Sequence, residues 1–243
     1  MRVDGRKYNE LRPLKIITDY TKYAEGSVLI EQGDTKVICT ASVEDTVPRH
    51  IKGTGKGWVT AEYSMLPRAN RERSPRDVSK LKLAGRSAEI QRLIGRSLRA
   101  VVDMTAFGEN VVTIDCDVIQ GDGGTRCASI TGGFVAMYLA FERMIADGYL
   151  KESPIIENVA ALSTGIIKLD GRDQAVVDMC YEEDCTAQAD FNIIMTSSGR
   201  FVEVQGTGEG RPYTADEFAN VLKITSPAIY SVMEVQKEVL GIK

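Results

Sequence analysis

Apolar and β-branched residues gather over residues 26–30 and 35–42, which are rich in Val, Ile and Thr, and residues 57–63 read as a further extended stretch. Such residues favour an extended chain, whose successive side chains point to opposite faces. The pattern therefore predicts strands at 26–30, 35–42 and 57–63, with Gln32-Gly33-Asp34 turning the first pair into a hairpin. A fourth strand is expected over 111–119, where Val112, Ile114, Cys116 and Val118 alternate with Thr113, Asp115 and Asp117. The spacing then changes to helical. Ile90, Leu93, Ile94, Leu98, Val101 and Val102 recur on one face of a helix that starts at Gly85, and a second amphipathic helix is expected over 131–146. Residues 67–82 are polar and basic, contain Pro67 and Pro75, and are expected to be a loop.

The remainder of the chain begins with strands again. Residues 160–169 and 174–180 form one expected hairpin over Asp170-Gly171-Arg172, and 190–196 and 201–205 form another. A helix over 214–240 follows, with Thr214 and Glu217 spaced as a capping box and Pro227 placed to kink or split it. An apolar helix ends at Asp147-Gly148 and Pro154 follows, so the chain divides into halves 1–147 and 154–243. Gln120-Gly121-Asp122-Gly123 follows a strand and precedes a helix, and Gln205-Gly206-Thr207-Gly208 reads the same way, which suggests that the halves are related. Strands first and helices after them in each half indicate an α+β fold.

Composition narrows the function classes. No run approaches the roughly 18 apolar residues of a membrane span, and the first residues carry charges where a signal peptide would be apolar, so a cytoplasmic location is expected. None of the five cysteines forms a CxxC pair, which argues against zinc or redox chemistry. His50 is the only histidine, so mechanisms that need two are excluded and a Ser-His-Asp triad is disfavoured. The net charge of −4 looks wrong for a polyanion binder, but its distribution reverses that impression. Residues 49–99 carry 13 Lys and Arg against 4 Asp and Glu, while residues 142–243 carry 9 against 17. One segment suits a polyanion, and the other, densest from Asp178 to Asp190, suits a divalent cation.

Four groups of residues could carry chemistry. Gly121-Asp122-Gly123-Gly124-Thr125-Arg126 lies between a strand and a helix, where unpaired N–H groups and the helix dipole attract anions. Glycines let the backbone approach, and Arg126 offers a forked cation. The other reading is a tight turn with a surface arginine. Arg86 sits at the start of its helix and can turn to the same anion, whereas Arg92, Arg96 and Arg99 read as a solvated face. Asp178 and Asp184, with Asp190 beyond, can converge on one Mg²⁺ across a hairpin, or simply form an acidic turn. Arg68, Arg71, Arg73 and Arg76, with Lys80 and Lys82 after them, suit contact with RNA phosphates, or form a solubilising loop.

Taken together the chain resembles the ribonuclease PH family of phosphorolytic 3′→5′ exoribonucleases. The resemblance runs through Arg2-Val3-Asp4-Gly5-Arg6, Glu10-Leu11-Arg12-Pro13, Gly57-Trp58-Val59-Thr60-Ala61-Glu62-Tyr63, Glu89-Ile90-Gln91-Arg92, Gly124-Thr125-Arg126, Tyr181-Glu182-Glu183-Asp184 and Glu203-Val204-Gln205-Gly206-Thr207. Cys127 stands where the family pattern leads one to expect Thr. The resemblance implies the ribonuclease PH fold (ribosomal protein S5 domain 2-like), with mixed sheets and packed helices in two related halves. It implies a site for inorganic phosphate at Arg86, Gly124, Thr125 and Arg126, and a metal and catalytic role for Asp178 and Asp184 with Mg²⁺ or another divalent cation. It also implies tRNA precursors as substrate, trimmed beyond the CCA end with release of nucleoside diphosphates, and a homohexamer built as a trimer of dimers. RNA contact by Arg68, Arg71, Arg73 and Arg76 completes the expectation. The rival is a non-catalytic RNA-binding ring subunit, which would lack the phosphate arginines or the aspartates.

Overall fold

The computed structural model describes residues 1–76 and 84–242, so Lys80 and Lys82 lie outside it. Strands β1 (Leu14–Thr18), β2 (Gly26–Gln32), β3 (Thr35–Glu44) and β4 (Trp58–Met65) are followed by helix α1 (Gly85–Arg99), β5 (Val111–Gln120) and α2 (Thr125–Ala146). These strands form one sheet in the order β1-β2-β3-β5-β4, antiparallel except where β4 runs parallel to β5. A second antiparallel sheet, β7-β6-β8-β9, is built from β6 (Val159–Leu169), β7 (Arg172–Val177), β8 (Ala189–Thr196) and β9 (Phe201–Gly208). The single turn α3 (Tyr181–Asp184) connects β7 to β8, and α4 (Ala215–Leu240) closes the chain.

Helix α2 joins the two sheets. It is buried on nearly every side, from Cys127 to Met144, because it packs between Val37, Cys39 and Ile114 of the first sheet and Val159 and Ala161 of β6. A helix apolar all round belongs in such an interior position. Gly26 permits the approach, since a Cβ there would lie 1.9 Å from the Ala136 carbonyl oxygen. α1 covers the β4 side with Ile90, Ile94 and Leu98, and α4 covers the second sheet with Val221, Ile229, Val232 and Met233. No helix of the described residues is long and apolar enough to cross a membrane.

The departures from expectation have local causes. β1 is a short edge strand paired only with β2, and its five residues carry too little period-two signal to be seen. α2 starts at Thr125, six residues before 131, because its first turn is polar and faces a cleft. α4 runs unbroken through Pro227. That residue is exposed, on the side opposite the apolar stripe, so the Lys223 carbonyl it leaves unpaired lies on the solvent side. The Gln205–Gly208 stretch lies inside β9, six residues short of α4, so its supposed correspondence with residues 120–123 is not carried by the structure.

Candidate active site

A cleft of about 1370 Å³ opens where the two halves meet. It is lined by the 121–124 loop, the first turn of α2, Arg86 and Glu89 of α1, Tyr181 and Asp184 of α3, Asp190 of β8 and Gln205 of β9.

One end of the cleft presents groups that can hold an anion. Gly123 and Gly124 are both left-handed, with φ of 76° and 68°, and a Cβ on Gly123 would lie 2.5 Å from the Met179 carbonyl oxygen. Only glycine satisfies that conformation and that approach at once. Gly124 is the N-cap of α2, no side chain of the described residues caps the helix, and no acidic residue occupies its first turn. The first N–H groups and the positive end of the dipole therefore face the cleft uncompensated. Thr35 holds the loop: its hydroxyl accepts from Asp122 N at 2.9 Å and donates to the Gly123 carbonyl at 2.7 Å. Tyr63, buried in β4, shares a 2.9 Å hydrogen bond with the Thr125 hydroxyl. Cys127 donates its Sγ–H to Asn192 Oδ1 at 3.3 Å, and burial pushes this thiol up to about 12, so it stays neutral.

Arg126 projects from the first turn of α2. It donates to Gln205 Oε1 at 2.9 Å and lies 3.6 Å from Glu89. The Gln205 amide in turn donates to Glu89 and Glu203, both at 3.0 Å. A neutral amide between two carboxylates lets Arg126 be positioned without a third negative charge against it. Arg86 acts electrostatically on the same region, favouring ionisation of Asp184 and of Tyr63.

The other end of the cleft holds carboxylates. Asp184 reaches solvent in the cleft, yet its pKa is raised, first by burial and then by Glu209, against the opposing pull of Arg86 and Arg126. Asp190 is raised as well, by burial first and then by Asp184 and Glu209. Its Oδ1 is buried without a hydrogen-bond partner among the described residues. Two neighbouring carboxylates, both resisting ionisation and one with an orphaned oxygen, make a donor set that suits a hard divalent cation. No cluster of three or more His, Cys, Asp or Glu side chains with metal-site geometry occurs among the described residues.

Asp178 occupies a different setting. Its carboxylate is buried behind the cleft, where it accepts from Arg12 N (2.7 Å), Arg12 Nη2 (2.7 Å) and Gln32 Nε2 (2.9 Å). Its backbone is left-handed, with φ of 53°, a strained geometry for a non-glycine residue. The strain is held by its own N–H to Ser163 O at 2.7 Å and by Arg2 and Arg6 donating to its carbonyl, both at 3.0 Å. Arg12 extends from Asp178 to the carbonyls of Asp122 and Gly123, so this aspartate is tied to the anion loop. The two expected partners therefore face different surroundings: Asp184 lines the cleft with Asp190, and Asp178 supports the loop.

The first residues of the chain complete the support. Arg2 grips Glu183 with Nε at 2.8 Å and Nη2 at 2.7 Å, a buried two-pronged pair that fixes α3 and thus Asp184. Residue-by-residue reading gave Arg2, Arg6, Arg12, Tyr63 and Gln205 no role. The only signal was their place in the motifs that carry the family resemblance, because each acts through partners far away in sequence.

Arg68, Arg71, Arg73 and Arg76 are all exposed. Their segment is anchored by the Ala69 carbonyl, which accepts from Gly121 N at 2.8 Å, so the loop starts beside the anion site. Arg71 lines the cleft, where it donates to Glu182 at 2.7 Å, and Arg76 lies close enough to Asp117 to favour its ionisation.

Known proteins resemble this chain in sequence and in fold. Residues 10–141 match the first domain of the 3′ exoribonuclease family, and residues 157–226 match the second. Proteins called Ribonuclease PH from Bacillus velezensis and Bacillus subtilis are each 54% identical over 241 residues, covering 99% of this chain and 97% of theirs. Among solved structures, a chain of the Archaeoglobus fulgidus exosome with RNA bound to the active site superposes with a TM-score of 0.80 at 21% identity, covering 96% of this chain and 91% of that one. Rice (Oryza sativa) Rrp46 gives 0.77 at 16% identity, covering 97% and 98%. At these identities the structures share the fold.

Proposed function

The chain belongs to the 3′ exoribonuclease family, and from that premise we propose that its cleft shortens RNA by phosphorolysis. Inorganic phosphate attacks the last phosphodiester, the bond to the 3′ oxygen of the shortened RNA breaks, and the terminal nucleotide leaves as a nucleoside diphosphate. The observation that carries this reading is the uncapped N-terminus of α2 behind two left-handed glycines, with Arg126 beside it and carboxylates opposite. A phosphate nucleophile needs an anion site of its own beside the scissile phosphodiester, and a water nucleophile does not. Precursors of tRNA extended beyond the CCA end are the proposed substrate. Since the bonds broken and formed are alike, nucleoside diphosphates should also drive the reverse addition.

Gly124, Thr125 and the α2 N–H groups hold the phosphate, and Arg86 and Arg126 offset its repulsion from the RNA and keep it in line. Asp184 acts on the leaving 3′ oxygen either as a proton carrier in its neutral form, which its raised pKa favours while no cation is bound, or as a cation ligand in its ionised form. The net proton comes from the incoming phosphate. A divalent cation, Mg²⁺ in the first instance, fits Asp184 and Asp190 and when bound would neutralise charge at the reacting phosphorus. Asp178 serves the same reaction by holding Arg12 and the anion loop. The proposed assembly is a homohexamer, a trimer of dimers, in the cytoplasm.

The test is a tRNA precursor incubated with and without phosphate. Nucleoside diphosphate is expected only with phosphate, and nucleoside monophosphate in phosphate-free buffer would overturn the reading. Light scattering should give six copies of the 26.6 kDa chain.

A further inference from the structure

Tyr181 is the one aromatic residue among the described residues that line the cleft, and it is 44% exposed there. It opens α3, the turn that ends at Asp184, and its backbone N–H donates to Asp122 Oδ1 at 3.2 Å. Glu183, two residues on, is clamped from behind by Arg2, so the turn that carries the ring is rigid. The ring face meets the Arg71 guanidinium at 5.6 Å, and Arg71 also donates to Glu182 at 2.7 Å. Both side chains of that ion pair are largely in water, 74% and 55% exposed, so it is weakly held and yields readily to a competing phosphate. A half-exposed aromatic face on a rigid turn, next to the group that handles the leaving oxygen, is what single-stranded RNA uses for base stacking.

Resting on the RNA-cleaving reading of the cleft, we propose that Tyr181 is the stacking platform for one of the last two bases at the RNA 3′ end, and that Arg71 leaves Glu182 to hold the adjoining phosphate. This separates Arg71 from Arg68, Arg73 and Arg76, which meet RNA further out. Stacking on an aromatic face accepts any base, which suits an enzyme that must remove whatever nucleotide comes next.

A short oligoribonucleotide is compared with two versions lacking either the last or the second-last base, on wild-type protein, Tyr181→Ala and Tyr181→Phe. Binding is read by fluorescence anisotropy without phosphate, and phosphorolysis separately. Tyr181→Ala is expected to weaken binding and raise KM for RNA about ten-fold or more, with little change in KM for phosphate. Tyr181→Phe should restore both. Removing the stacked base should cost the wild type a similar factor and cost Tyr181→Ala almost nothing, because both changes delete one interaction. Arg71→Ala should weaken intact and base-lacking RNA alike. Removal of either base without effect on wild-type binding, or additive losses at both positions, overturns the proposal. Wild-type protein that binds RNA but releases no nucleoside diphosphate would instead sink the phosphorolytic reading and leave the stacking result to stand by itself.

Discussion

Asp190 puts a charge where the protein resists one. Its ionisation is disfavoured by burial and by Asp184 and Glu209, so its folded-state pKa lies above the ordinary 3.8. A raised carboxylate pKa favours the folded state at low pH and costs stability as pH climbs through it. Asp190→Asn is therefore expected to raise Tm at neutral pH, with the gain closing as pH falls toward 3.8. Mg²⁺ should raise the Tm of wild-type protein and not that of Asp190→Asn, as thermal scans with and without the cation would show. A variant no more stable than wild type at pH 7 would show that ionised Asp190 costs the fold nothing, and an equal metal response would place the cation elsewhere. Arg126 offers a pair of tests with opposite signs. Arg126→Ala should lower phosphorolysis about 10²-fold or more. Glu89→Gln removes the carboxylate 3.6 Å from that guanidinium and should lower KM for phosphate. Steady-state titration of phosphate checks both, and a higher KM in Glu89→Gln would mean that Glu89 positions Arg126 instead of competing for it.

At the scale of elements, α3 is too short to hold itself. Four residues make barely one turn, so its place depends on the buried Arg2–Glu183 pair. Among the described residues, Arg2→Ala leaves the buried Glu183 carboxylate with only the Arg6 guanidinium at 3.7 Å and the Cys180 N–H at 3.2 Å, and removing one partner of a buried pair typically costs about 3–5 kcal/mol. Activity should fall with it, because Asp184 and Tyr181 belong to the same turn. Replacing both partners, Arg2→Met with Glu183→Leu, should return most of the stability. Urea unfolding of wild type, the single variant and the double variant decides it: a double variant as unstable as the single would show that the N-terminal arm is held by something other than this pair.

At the scale of the whole molecule, charge is sorted by position. The basic segment 49–99 contributes Arg86 and the exposed arginines, and the acidic later half contributes Asp184 and Asp190. Replacing Arg68, Arg73 and Arg76 by Ala should weaken binding of a full tRNA precursor. It should also flatten the salt dependence by about 0.7 in logarithmic slope for each RNA phosphate that no longer meets an arginine. A short oligonucleotide that reaches only the cleft should be phosphorolysed nearly as before. Comparing both substrates at two salt concentrations tests this, and equal losses on both would assign the three arginines to the cleft.

Apart from β1, the strands, the long helices and the glycine turn before α2 were legible in the sequence because each rests on short-range regularities. Period two marked β5, richness in Val, Ile and Thr marked β2 and β3, helical spacing marked α1, and the Thr214–Glu217 capping box stands at the start of α4. Gly123 and Gly124 announced themselves as well, since glycine readily takes the left-handed backbone found there. What the sequence could not rank was the carboxylates. Asp178 and Asp184 look equivalent in the chain, six residues apart, and only folding brings Arg12 and Gln32 onto the first and leaves the second facing the cleft with Asp190. Long-range pairing made that difference. Arg2 with Glu183, Tyr63 with Thr125 and Arg126 with Gln205 are separated by 181, 62 and 79 residues. No local periodicity encodes such pairs; they exist because α2 packs against both sheets and draws the chain's two halves together around one cleft.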